Sequence, residues 1–190
     1  MPPRARITRE MLIDAGFEIA RVDGAENINA RAVTGRLGCS TQPVMYHFAT
    51  VDDLKRAVYV KADQFHSEYL MREGDGAVDP LLNIGLNYIR FAIEEPNLFR
   101  FLFQSGYATE GSVLEMIDSE ELAPVLSAMQ AGTGLGMEKT KEVFLTLALF
   151  VHGYASIIAN NALEFDEAVV AQHLERVYEG AMLSAQKGEK

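Results

Sequence analysis

Residues 29–48 read NARAVTGRLGCSTQPVMYHF, and the fold turns on this stretch. Val33 and Leu37, four apart, give residues 29–37 one apolar helical face. Gly38 follows as a stop, since glycine takes the left-handed C-terminal conformation at no steric cost. Ser40 reads as an N-cap for a second short helix reaching His47 or Phe48. Pro43 falls within three residues of that cap, where a missing amide costs little. Two short helices across a tight glycine turn form a helix-turn-helix, whose second helix enters the major groove.

On that reading Val44 and Phe48 face the core with Val33 and Leu37, while Thr41, Gln42 and Tyr46 point outward. Gln42 can pair bidentately with adenine, and Thr41 can reach a base edge or a thymine methyl. Arg31 and Lys55, on the flanking helices, can reach phosphates, and Ser40 and His47 complete the candidate DNA-facing set. The same spacing also suits an ordinary helical hairpin with solvated polar residues. Geometry alone does not choose between them.

Outward from this stretch, helical periodicity continues in both directions. Leu12, Ala15, Ile19 and Val22 line one face of a helix over 8–22, which stops at Asp23-Gly24. A fourth helix starts near Val51, with Asp52 and Asp53 at its positive end, and extends to about Arg72. Glu73-Gly74-Asp75-Gly76 then marks a boundary and a hinge. Five more helices are predicted over 79–94, 96–104, 112–131, 138–162 and 166–186, with Gly132–Gly136 (GTGLG) as the clearest loop. Pro96 opens the second of these and forces Glu95 out of the helical region. Strand signals are scarce, since alternating β-branched runs bounded by turns do not occur. The expected fold is all-α with about nine helices. A three-helix head, 1–50, precedes a larger helical domain, 51–190, and the helix 51–73 joins them.

Composition narrows the class. The 190 residues are 48% apolar and 23% charged, as in ordinary globular chains. One cysteine, Cys39, excludes a disulfide framework and reads as a small packed residue, a redox role being the alternative. MPPRARITRE has no apolar h-region, so a cytoplasmic protein is expected. The net charge of −10 is unevenly spread. Residues 1–61 carry nine Lys/Arg against seven Asp/Glu, a net of +2; residues 62–190 carry eight against twenty, a net of −12. A mildly cationic head on an acidic body confines any phosphate contact to the head.

Catalytic motifs are missing: there is no Walker loop, dinucleotide fingerprint, nucleophile elbow or His-Glu-x-x-His. Asp63-x-x-His66 is the nearest approach to a di-metal bundle, so no enzyme activity, cofactor or metal is expected. The 21 uncharged residues between Glu142 and Glu164 are broken by Thr146, His152, Gly153, Tyr154, Ser156, Asn160 and Asn161. A buried or dimer-forming helix is therefore expected there, not a membrane span.

Residues 7–61 resemble the N-terminal domain of the TetR family of one-component transcriptional repressors. The match rests on Ala15, Gly24, Arg31-x-Val33, Leu37-Gly38-Cys39-Ser40, His47-Phe48 and Asp53-Leu54. Further on, Tyr88-Ile89-Arg90-Phe91-Ala92, Pro96 to Phe103 and Val151-His152-Gly153 look similar to one branch of it. The chain departs from the pattern at Met45, where the family usually has a phosphate-binding Tyr, and at Val51, usually a Lys. Each missing contact lowers the salt slope of binding by about 0.9. Binding then leans on Arg4, Arg6, Arg9, Arg31, Arg36 and base contacts. Gly16 replaces a usual Ala, at about 1 kcal/mol of helix propensity.

The resemblance implies a homodimeric repressor on a palindromic operator, released by a small apolar or aromatic effector. Its implied effector residues are Phe91, Phe99, Phe103, Met116, Phe144, His152 and Tyr154, with Met129 a further apolar candidate and Asn87, Gln104 and Asn160 as polar ones. An aromatic or Met at helical spacing is also the ordinary sign of core. The dimer is expected through helices 138–162 and 166–186, with Ala148, Gly153, Ala155 and Ala159 permitting close approach. The alternative is a helical small-molecule-binding or interaction protein with a weakened DNA head.

Overall fold

Thr8 starts the first helix: its hydroxyl accepts the Met11 amide at 3.2 Å, and α1 runs Arg9–Asp23. The computed structural model describes residues 7–73, 80–107, 117–118, 120, 122–161 and 165–187. Among these residues nine α-helices and one short 3-10 turn occur, with no strand, so the chain is all-α as expected. Met116 and Gly74–Gly76 of the expected hinge lie outside the described residues; Glu73 is exposed.

Asn29 caps α2 (Ala30–Leu37) by accepting the Ala32 amide at 3.0 Å. Gly38 follows with φ 62, and the amides of Gly38 and Cys39 return to the Gly35 and Thr34 carbonyls. That pairing satisfies the last carbonyls of the helix and needs a residue tolerant of positive φ. Cys39 is half-buried. The next helix, α3, spans Gln42–His47. Its start corrects the Ser40 cap: Thr41 holds the cap position, with no side-chain cap bond. Had Ser40 been the cap, one of the two amides open to it, that of the third helical residue, would belong to Pro43, which has none.

Thr50 and Asp53 cap α4 (Val51–Leu70) reciprocally. The Thr50 amide donates to Asp53 Oδ2 at 2.8 Å, and the Asp53 amide donates back to Thr50 Oγ1 at 3.1 Å. α4 ends at Leu70, just short of the expected Arg72.

The helices fall into two compact units, one of Met1–Glu68 with Glu94–Ala108 and one of Tyr69–Ile93 with Thr109–Lys190. In the first, Leu12, Ile19, Val33, Val44, Leu54 and Val58 are buried, joined by Leu98, Phe99, Phe101 and Leu102 of α6 (Pro96–Phe103). Gly16 proves to be a packing requirement, because a Cβ there would stand 2.7 Å from Val58 Cγ2. Val22 was expected on the apolar face but is 62% exposed. The last turn of α1 is met through its backbone: Asn97 Nδ2 donates to the Arg21 and Val22 carbonyls at 3.1 Å each. Glu95 leaves the helical region as expected, with φ −127 and ψ 53, and Pro96 opens α6.

The second unit contains α5 (Pro80–Glu94, the last residue counted with the first unit), α7 (Ala123–Thr133), α8 (Met137–Asn161) and α9 (Glu167–Lys187). A Cβ on Gly85 would stand 2.9 Å from Leu174 and 3.3 Å from Val151, so α5 lies close against both α8 and α9. The single helix expected over 112–131 does not form. Ile117 is helical, Asp118, Glu120 and Leu122 are in turns, and a new helix opens at Ala123 with Pro124 in its first turn. A proline ring cannot sit inside a continuous helix without clashing with the preceding turn. The GTGLG loop is also shorter than expected, since α7 runs through Thr133 and stops at Gly134, whose φ is 71.

Candidate nucleic-acid interface

α3 is two-sided. Val44 is buried and Phe48, just after it, is buried too, while Thr41, Gln42, Met45 and Tyr46 are exposed. Met45 and Tyr46, at 66% and 73%, are large side chains that the first unit leaves open to solvent. Ser40 is exposed in the turn, Arg31 is exposed in the first turn of α2, and Lys55 is half-buried on the second turn of α4. Among the described residues no hydrogen bond engages the Gln42 amide, which leaves both its donor and its acceptor for a base edge.

Four cations of the first unit are ion-paired, and Arg100 donates to Asn97 Oδ1 at 3.1 Å. Arg21 pairs with Glu95, Arg36 with Asp23, Arg56 with Asp52 and Lys61 with Asp14. Among the described residues of this unit, Arg9, Arg31 and Lys55 have no carboxylate in ion-pair range, and all three stand on elements flanking α3. The Arg9 guanidinium lies over the Phe48 ring, 5.0 Å from its centroid. His47 is half-buried: its Nε2 donates to the Ile7 carbonyl at 3.2 Å, and its ring meets Tyr46 edge-on at 4.9 Å. Arg9 over Phe48 and the Thr50–Asp53 cap were not read from the sequence. Thr-x-x-Asp is a visible cap signal, but the ring contact joins residues with no shared spacing.

The candidate effector residues occupy different places. Phe99 is buried and Phe103 half-buried in the first unit, 5.0 Å apart, with the buried His66 ring edge-on to Phe103 at 5.1 Å. Burial lowers the His66 pKa to about 4. Phe91, Met129, Phe144, His152 and Tyr154 belong to the second unit. Phe91 is fully buried with its ring edge-on to Tyr69, Met129 is buried, and Phe144 and Tyr154 are half-buried on α8. His152 Nδ1 lies 2.8 Å from the Tyr88 hydroxyl, and Nε2 lies 3.4 Å from Ser156 Oγ. Burial lowers the His152 pKa and raises that of Tyr88, so a neutral imidazole beside a protonated phenol is the stable pairing.

Asn87 donates to the Leu70 and Arg72 carbonyls at 3.0 and 2.9 Å, finishing the end of α4. Asn160 donates to the Ser156 carbonyl, and Gln104 is exposed. Among the described residues no group of three His, Cys, Asp or Glu is placed to hold a metal.

An exposed short helix behind a left-handed glycine, on an all-helical chain with a separate C-terminal helical unit, defines a helix-turn-helix regulator. Residues 81–180, just over half the chain, match the family model described as the tetracyclin repressor-like C-terminal domain. The chain belongs to the TetR family and is a transcriptional regulator of that type. It is 23% identical over 177 residues to an uncharacterized HTH-type transcriptional regulator, YobS, of Bacillus subtilis (strain 168), covering 90% of this chain and 88% of that protein. Regulators of this type bind DNA operators and small-molecule effectors and form dimers.

Proposed function

We propose that the chain is a homodimeric repressor whose two α3 helices read a palindromic operator in successive major grooves. Residues 1–50 form the DNA-binding part and 51–190 the effector-binding and dimerisation part, with α4 leading from one to the other. The exposed Thr41–Gln42–Met45–Tyr46 face, flanked by the unpaired cations Arg9, Arg31 and Lys55, carries this reading. Gln42 and Thr41 contact bases; Ser40, Tyr46, Arg31 and Lys55 contact the backbone or the rim of the groove. A small apolar or aromatic effector, held by the second unit near Phe91, Phe144, His152 and Tyr154, releases the operator by favouring another dimer geometry. The protein acts in the cytoplasm and has no catalytic role.

Support for the dimer comes from α8 and α9. By length and composition α8 could cross a membrane, with mean hydropathy 1.7, and only 33% of that apolar window is buried. Leu149, Gly153 and Ile157 are exposed along one side of α8, and Val169, Gly180 and Leu183 along α9. The four-residue spacing of Leu149, Gly153 and Ile157 suits a four-helix interface between two copies. Ala155 and Ala159, expected on that face, are instead buried within their own unit, while Gly153 is exposed.

Selection of duplexes from a random pool by the full chain, repeated with apolar effectors, tests the proposal. Recovery of a two-fold symmetric site, weakened by an effector, is the expected result. Retained effector with only sequence-indifferent DNA binding would select a ligand-binding protein with a weakened head. The exposed Met45, which has no donor for a phosphate, is what favours that second reading.

A further inference from the structure

The two large exposed side chains of α3 differ in what they can bind. Tyr46 carries a phenol O–H, and its ring stands edge-on to His47 at 4.9 Å. Met45 carries a thioether, which has no donor and makes no hydrogen bond to a phosphate oxygen. Yet Met45 is exposed almost as fully as Tyr46, one turn beyond the exposed Gln42, while Val44 between them is buried. An unbranched, polarizable side chain in that place gains by covering other apolar atoms.

Among the base edges of the major groove, the C5 methyl of thymine is such a group. Three residues advance a helix by about 4.5 Å, against about 3.4 Å between successive base pairs. A helix that brings Gln42 to one pair therefore brings Met45 to a neighbouring pair. The charge around α3 suits the same partner. Among the described residues of this unit, Arg9, Arg31 and Lys55 on the flanking elements have no carboxylate in ion-pair range, and a polyanion is drawn to that side. We propose that Met45 is a specificity-determining residue, seated on a thymine methyl next to the base pair read by Gln42. The inference rests on the DNA-binding reading and deepens it, because each half-site must then hold a thymine at one fixed position.

The test uses the full chain and a duplex recovered from the random pool, with its thymines replaced one at a time by deoxyuridine. That change removes the methyl and keeps the hydrogen bonds of the pair. At one position of each half-site it should weaken binding about fourfold, the worth of one buried methyl. Met45→Ala should lose up to about sixteenfold, fourfold for each of two copies, and should bind thymine and deoxyuridine duplexes alike. Met45→Leu, apolar and of similar size, should keep the discrimination. The salt slope should be the same in all three chains, since no phosphate contact changes. Half-sites with no methyl-dependent position, discrimination that survives Met45→Ala, or a salt slope that falls in that variant would overturn the role of Met45 while leaving DNA binding intact. A wild-type chain that retains no duplex would overturn the DNA-binding reading and this inference with it.

Discussion

The Arg21 guanidinium grips both carboxylate oxygens of Glu95, a residue 74 positions further along the chain, through Nε and Nη2. The Glu95 side chain is only 9% exposed, and the Arg21 guanidinium is the cation set against it. Arg21→Ala strands a buried carboxylate and should lower stability by about 2–3 kcal/mol. Glu95→Gln keeps shape and one acceptor and should cost less. Urea titration of both variants measures the difference, and equal losses would contradict it.

Gly16→Ala sets two effects against each other. Helix propensity gains about 1 kcal/mol, while a Cβ at 2.7 Å from the fully buried Val58 forces α1 and α4 apart. Overpacking typically costs about 1–3 kcal/mol, so a net loss is expected. Adding Val58→Ala should recover part of that loss, which a double-mutant cycle in denaturant would detect.

Acidification from neutral pH should weaken the fold through a buried imidazole. Burial holds the His66 pKa near 4 against an ordinary 6.5. The unfolded chain takes up a proton below 6.5 and the folded chain does not, so stability falls as pH drops from 6.5 toward 4. The loss by pH 5 should be about 2 kcal/mol relative to pH 7. His152, also lowered by burial, acts in the same direction. His66→Phe should flatten most of the slope between pH 7 and 5 in urea titrations.

On a selected duplex, Gln42→Ala should cost about 1–3 kcal/mol and relax preference at one base position. Arg31→Ala should instead weaken all duplexes alike and reduce the salt slope by about 0.9. Identical behaviour of the two variants would mean that Gln42 reads no base.

Gly153 faces open space on α8, with nothing within 4 Å of a would-be Cβ. Gly153→Arg leaves the folded chain undisturbed but puts a charged side chain in the proposed two-copy face. The dimer dissociation constant should rise about 100-fold, the scale of a lost central contact. Sedimentation across a concentration series reads this directly.

Much of the fold was legible because its punctuation is local. Gly24 and Gly38 end helices where their positive φ is needed, and Pro96 opens one. The reading failed where a proline acts at a distance of several residues. Pro43 removed one of the two amides that a Ser40 cap could bind, and Pro124 divided what periodicity joined. Among the candidate site residues, the outward set on α3 follows from a 3.6-residue period set by Val44 and Phe48. The His47–Ile7 and Arg21–Glu95 bonds span 40 and 74 residues, and no local pattern encodes such pairs.

The assignment of α6 to the first unit bears on how the nascent chain matures. Synthesis delivers α1 to α4 first, yet Phe99, Phe101 and Leu102 of the same core emerge some thirty residues after α4 is complete. Until then Arg21 lacks its carboxylate, and the Tyr59 hydroxyl lacks the Leu102 carbonyl it later meets at 3.1 Å. A head cut off after Leu70 would therefore be an unfinished body with an uncovered apolar side. On the ribosome, the DNA reader matures only after Tyr69–Ile93 of the other unit have emerged.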